Sequence, residues 1–320
     1  MKVLLSAPRG FCAGVVRAID IVEIALEKFG SPVYVRHEIV HNQYVVNSLK
    51  TKGAIFVEEI DEIPFDSTVI FSAHGVAPEI WHSAKSRNLR IIDATCPLVI
   101  KVHNESLKYA NDDYSVIVVG HQGHPEVIGT VGQSPDKSIL VEDEIDASKL
   151  EIKNPDKVVA LTQTTLSVDD TKEIIGALKN RFPNIVARND ICYATTNRQD
   201  ATKLLAQKVE VVLVIGAENS SNCNRLREVA ELSGVPAYLI NDAKSINPDW
   251  LAGINTVGIT SGASTPESLV EEVIDLLKPE SIDTLEITKE DVVFVLPKEL
   301  RGGTENEKWA WQRQGDQAVR

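Results

Sequence analysis

The chain has 320 residues, with 43% hydrophobic and 25% charged residues and a formal charge of −13. That length holds two or three modest domains with a sizeable core, in proportions ordinary for a soluble globular protein. The acidic balance argues against a nucleic-acid partner, which calls for a basic face. No stretch approaches the roughly 20 apolar residues of a membrane helix, so the expectation is no membrane partner and a cytoplasmic location.

The N-terminal "MKVLLSAPRG" reaches Pro8 and Arg9 too soon for a signal peptide and reads as a first strand. Beyond it, "VVRAIDIVEIALEKFG", "DTKEIIGALKNRF" and "ESLVEEVIDLLK" carry apolar residues at helical spacing. Short β-branched runs, "SVIVVG", "KVVALTQ", "VEVVLVIG" and "NTVGITSG", read as buried strands. Their alternation predicts an α/β protein with mostly parallel sheets.

The order of elements repeats. "GFCAGVVRAIDIVEIALEKFGSPVYVRHEIVHNQ", "ATCPLVIKVHNESLKYANDDYSVIVVGHQGHPE" and "DICYATTNRQDATKLLAQKVEVVLVIGAENSSN" each run Cys, helix, strand, polar loop. A helix, a turn and a strand follow each, and then a strand with a second polar loop: "VIFSAHGVAPE", "VALTQTTLSVDD" and "VGITSGASTPES". Cys96 follows Cys12 by 84 residues and Cys192 follows Cys96 by 96. The prediction is three similar α/β lobes around a pseudo-threefold axis: residues 13–96, residues 97–191, and residues 192–282 with 1–12 closing the ring. Residues 283–300 form a C-terminal segment, and the polar 301–320 a disordered tail, Trp309 and Trp311 included.

Ligands of α/β sheets bind at the carboxyl ends of strands. The loops expected there hold His41 and Asn42, His74, His124 and Glu126, Thr164 and Thr165, Ser220, Ser221 and Asn222, and Ser261 and Ser264. Most of these loops precede a helix, whose free N–H groups favour anions. Ser, Thr and Asn there also serve as ordinary caps, as in "TLSVDD" and "GASTPES". Histidines are weak helix starters, so His41, His74 and His124 point instead to a diphosphate or similar anion. Glu126 is the one carboxylate among these groups, and a raised pKa would suit it to proton donation.

A single free Cys is usually a packing residue. One per repeat, at a strand end beside Gly, Pro or polar residues, is not explained by packing. Cys12, Cys96 and Cys192 suit an iron–sulfur cluster or zinc, and the short paired spacing of structural zinc sites is absent. A [4Fe–4S] cluster on three thiols keeps one iron unligated by cysteine. Cys223 sits in a loop of different register and reads as a small residue near a helix start.

At these residues the chain resembles the LytB (IspH) family, the 4-hydroxy-3-methylbut-2-enyl diphosphate reductases. The resemblance rests on "APRGFCAGVVRAI", "HEIVHN", "SAHGV", "DATCPLV", "GHQGHPEVIGT", "TQTTLSVDDT", "DICYATTNRQ", "NSSNCNRL" and "TSGASTPE", in that order, and covers about residues 1–300. It implies a trilobal α/β fold with a central [4Fe–4S] cluster on Cys12, Cys96 and Cys192. It implies a substrate diphosphate held by His41, His74, His124, Ser220, Ser221, Asn222 and Ser264, with Thr164 near the reacting end and Glu126 delivering the proton. The reaction implied is a reductive dehydroxylation to isopentenyl and dimethylallyl diphosphate, with electrons from a ferredoxin or flavodoxin. Cys223 stands where the family pattern has serine, and residues 301–320 match nothing in it. The competing expectations are a zinc-dependent hydrolase built on His121, His124 and Glu126, and an iron–sulfur redox sensor that has no need of Glu126. His121 is given no role.

Overall fold

The structure, a computed structural model, describes residues 1–301. Residues 302–320, and with them the expectation of a disordered tail, lie outside the described residues. In chain order, β1 (Lys2–Ala7) leads through Cys12 into α1 (Ala13–Phe29), β2 (Val33–Arg36), α2 (Gln43–Thr51), β3 (Ala54–Val57), β4 (Thr68–Phe71), α3 (Pro78–Ser86) and β5 (Arg90–Asp93). Then come α4 (Pro97–Asn111), β6 (Ser115–Val119), α5 (Pro125–Val131), β7 (Ser138–Val141), α6 (Glu144–Lys149), β8 (Val158–Thr162), α7 (Val168–Arg181) and β9 (Val186–Ala187). The chain continues through α8 (Tyr193–Ala206), β10 (Val211–Ile215), α9 (Ser221–Leu232), β11 (Ala237–Ile240), β12 (Thr256–Ser261), α10 (Glu267–Leu277) and β13 (Ser281–Glu286).

These strands form three parallel sheets, ordered β3-β2-β4-β5, β7-β6-β8-β9 and β11-β10-β12-β1-β13. The strand order recurs, and the N-terminal β1 takes in the third sheet the place that β5 and β9 hold in the others. The expected α/β architecture of parallel sheets with helices is what the chain adopts. One addition was not read from the sequence: "SIDTLE" pairs with β1 along its whole length as a fifth strand.

The strands are apolar throughout because both faces are covered. Val211, Leu213 and Ile215 of β10 pack with Leu269, Val270 and Val273 of α10. The alternate residues Val212 and Val214 pack with Leu205 at the end of α8 and Leu226 of α9. Burying each such side chain stabilises by roughly 1.5–3 kcal/mol, so a charge at any of these positions would undo the element. Two compact units result. The first comprises Met1–Cys12, Thr162–Ala177 and Asn189–Asp291 and holds the third sheet. The second comprises Ala13–Leu161, Leu178–Arg188 and the described residues from Val292 on, and holds the first two sheets, Thr162 excepted.

Candidate functional site

Each cysteine follows the strand that takes the fourth place in its sheet and precedes a helix. Cys96 and Cys192 are the N-caps of α4 and α8. The Cys192 sulfur accepts the Thr195 backbone N–H at 3.4 Å and lies 3.2 Å from its hydroxyl. All three thiols are partly exposed. Their backbone N–H groups share one pattern that the sequence did not reveal. In the second unit Cys96 donates to the Ala73 carbonyl, the residue before His74, at 3.0 Å. In the first unit Cys192 donates to Thr164 at 3.0 Å and Cys12 to Ala263, the residue before Ser264, at 3.2 Å. Every cysteine turn is thus tied to the loop after the third strand of its own sheet, the loop that carries a predicted binding residue.

The second unit brings its histidines together. The His41 and His74 rings stack with centroids 4.2 Å apart, and His124 meets them edge-on at 5.5 and 5.9 Å. Burial, then the neighbouring imidazoles His41 and His124, holds His74 well below the usual histidine range. Burial, then His41 and His121, pushes His124 down to about 3. Both are neutral at pH 7 in the free protein, because burial penalises the charged form and a neighbouring imidazole adds to the penalty. His41 Nδ1 lies 3.2 Å from the Glu38 carboxylate, and His74 Nδ1 lies 3.2 Å from the Ser72 hydroxyl. Glu126 is buried in the first turn of α5.

His124 corrects an expectation. It is the N-cap of α5, and its Nδ1 accepts the Glu126 backbone N–H at 3.2 Å. A neutral imidazole can cap a helix when its proton sits on the other nitrogen. Among the described residues, no three His, Cys, Asp or Glu side chains gather closely enough to hold a single metal ion, His121, His124 and Glu126 included.

In the first unit, hydroxyls and amides are wired into the backbone. Ser220 is the N-cap of α9, accepting the Cys223 N–H at 3.4 Å. Ser221 donates to the Thr165 carbonyl at 3.1 Å. Asn222 accepts the Ala263 N–H at 3.0 Å and donates to the Thr195 hydroxyl at 3.5 Å, linking the start of α9, the Ser264 loop and the Cys192 turn. Thr164 and Ser264 are buried. The loop "TLSVDD" caps its helix as expected, through Ser167. "GASTPES" does not: Pro266 is the N-cap of α10, and the Thr265 hydroxyl donates to Ile215 instead. Cys223 is fully buried; its sulfur would lie about 2 Å from a Cβ added at Gly216 or Gly262. Burial pushes its thiol pKa up. It packs where glycines make room, as the plain reading of a small residue near a helix start implied.

Residues 3–278 match the LytB protein family. The chain belongs to this family. Among its LytB relatives, a 4-hydroxy-3-methylbut-2-enyl diphosphate reductase of Azoarcus sp. (strain BH72) is 55% identical over 305 residues, covering 94% of this chain and 98% of the relative. The Streptomyces coelicolor reductase is 54% identical, covering 94% of this chain and 90% of the relative. The solved structure of the Plasmodium falciparum E-1-hydroxy-2-methyl-but-2-enyl-4-diphosphate reductase superposes with a TM-score of 0.91 at 38% identity, covering 98% of both chains. The LytB family is known for a [4Fe–4S] cluster. Among the described residues no helix is long and apolar enough to cross a membrane.

Within the quoted LytB motifs, two residues passed over by the sequence reading are the buried arginines Arg17 and Arg198. The available signal was their placement: each follows a cysteine by about one and a half helical turns, in "CAGVVR" and "CYATTNR".

Proposed function

We propose that the chain reduces 4-hydroxy-3-methylbut-2-enyl diphosphate to isopentenyl and dimethylallyl diphosphate, the terminal step of the non-mevalonate pathway. Two electrons and two protons enter, and the hydroxyl leaves as water. The observation that carries this reading is the packed trio of His41, His74 and His124 at strand ends, with the buried Glu126 two residues from His124, in a LytB chain. His74 and His124, kept neutral by burial and by neighbouring imidazoles, gain a counter-charge when a diphosphate arrives.

The donor set fits an iron–sulfur cluster: three partly exposed thiols, each before a helix, with soft sulfur ligands. Cys12, Cys96 and Cys192 would hold a [4Fe–4S] cluster with one iron not ligated by cysteine, and when bound it supplies the electrons for C–O cleavage. His41, His74 and His124 bind the diphosphate as donors, as do Ser220, Ser221, Asn222 and Ser264. Those interactions hold the carbon chain in one pose. Thr164 orients the hydroxyl end. Glu126 holds the proton that the departing oxygen takes. A ferredoxin- or flavodoxin-type protein is the electron donor.

The test is anaerobic reconstitution followed by an assay with a chemical reductant. Consumption of the hydroxylated diphosphate is expected, and its absence from a fully loaded protein would favour the sensor reading. Cys96→Ser should yield iron-poor protein with little visible absorption. A full-strength cluster spectrum in that variant removes Cys96 from the ligand set.

A further inference from the structure

Arg198 is 1% exposed. A guanidinium so deeply buried has to place all its donors, and three of its hydrogen bonds go to the two cysteine turns of the first unit. Nε and Nη2 donate to the Gly10 carbonyl at 3.2 and 2.8 Å. Nη1 donates to the Ala194 carbonyl at 2.9 Å. Gly10 lies two residues before Cys12, and Ala194 two residues after Cys192. The Gly10 backbone has φ +67°, a conformation that favours glycine at this turn. One planar group thus spans both ligand turns.

The charge is answered by Glu290, which lies beyond β13. Nη1 reaches its two carboxylate oxygens at 2.9 and 3.1 Å, and Nη2 reaches one at 3.2 Å. Asn197 Nδ2 donates to the same carboxylate at 3.0 Å. Replacing a buried ion pair with apolar groups is often neutral for stability, so stability alone is a weak reason for such a pair. Its rigid fork fixes geometry instead.

The second unit holds a parallel case. Arg17, on the helix that starts after Cys12, is also buried. Its Nη1 donates to the Thr95 and Ala94 carbonyls at 3.0 and 3.3 Å, the two residues before Cys96. Its Nε donates to the Val295 carbonyl of the C-terminal segment at 2.9 Å. In both units a buried arginine joins a cysteine turn to the segment after β13.

We propose that Arg198, with Glu290 as its counter-ion, is a positioning residue that sets the spacing of the Cys12 and Cys192 turns for the iron–sulfur cluster. This rests on the cluster reading above. The pair touches backbone and carboxylate, and its effect reaches the cluster through the two turns. The C-terminal segment thereby becomes part of the cluster's support.

The experiment compares wild type, Arg198→Met, Arg198→Lys and Glu290→Gln after anaerobic reconstitution. Iron and sulfide per chain, the electron paramagnetic resonance of the reduced cluster, and the rate of cluster loss to an iron chelator are measured beside the urea midpoint of each apo-protein. Cluster loss should speed up about 10- to 100-fold in Arg198→Met, the range for outer-shell partners of metal ligands. The resonance should shift, Lys should restore part of the retention, and Glu290→Gln should fall between. Wild-type loss rates and an unshifted resonance in Arg198→Met overturn the proposal, whatever its urea midpoint. If Arg198→Met does not fold, Glu290→Gln decides, and an unchanged loss rate there overturns it. Wild-type protein that takes up no cluster overturns the cluster reading itself, which is a separate result.

Discussion

The strand-end loops of the two units occupy the same topological place and are furnished with different chemistry. In the second unit they present imidazoles: His41, His74 and His124 in ring contact, with His74 and His124 held neutral by burial and by neighbouring imidazoles. In the first unit they present hydroxyls and an amide, Ser220, Ser221 and Asn222, locked to backbone groups. On the proposed function, His74 and His124, groups of the first kind, would change charge when an anion arrives. Groups of the second kind offer fixed dipoles at any pH. On the proposed function, the same strand-end positions would divide the work of holding the substrate.

The sharpest break between the two sets is Glu126, whose position in "HPE" has no acidic counterpart in "SSN". Glu126→Gln keeps the shape and removes the proton. Turnover should fall by about two orders of magnitude or more with substrate binding retained, read from steady-state assays with a chemical reductant. Near-normal turnover would take Glu126 out of the proton path and leave the imidazole loops as a binding surface alone.

The next effect separates titratable loops from fixed ones. On the proposed function, a bound diphosphate should raise the pKa of His74 and His124, so that binding takes up protons at pH values between the free and the bound pKa. For His124 that window opens at about 3. Affinity must therefore weaken as pH rises through the window, up to about tenfold per pH unit for each proton taken up. Calorimetry with inorganic pyrophosphate, in buffers of different ionisation enthalpy, reads the uptake directly. His124→Gln should flatten the pH slope. Asn222→Ala should weaken binding and leave the slope as it was. A slope of zero in the wild type would erase the distinction between the two sets.

How much of this was legible in the sequence depends on how local each cause is. The buried strands and their order were legible, because β-branched runs ended by polar loops are a local signal. The residue types at the strand ends were legible for the same reason. The wiring was not. Arg198 and Gly10 meet across 188 positions, and no spacing rule links them. The shared bonds from Cys12, Cys96 and Cys192 to the third-strand loops also depend on sheet pairing. His124 was misjudged as a poor cap because propensity describes an average histidine, and this one is kept neutral by burial and then by its neighbours. For Cys223 the sequence leaves a fourth cluster ligand and a small packing residue both open, the second favoured by its offset register, and the structure buries it against Gly216 and Gly262.

The smallest effect tests one job done by both chemistries. Ser220 caps α9 through its hydroxyl, and His124 caps α5 through Nδ1. Ser220→Ala should cost about 1 kcal/mol of stability, equally at about pH 4 and pH 7, because a hydroxyl does not titrate there. The cost of His124→Ala should depend on pH. Its pKa is lower in the folded chain than in the unfolded one, so the unfolded state binds more protons below about pH 6.5. The stability that His124 contributes is complete above that value and declines as pH falls toward about 3. The penalty of His124→Ala is therefore largest at neutral pH and shrinks in acid. Urea unfolding of both variants at several pH values measures it. Parallel behaviour of the two variants would mean that the imidazole cap is no more sensitive to protons than the serine cap, and that charge on His124 is not what distinguishes its loop.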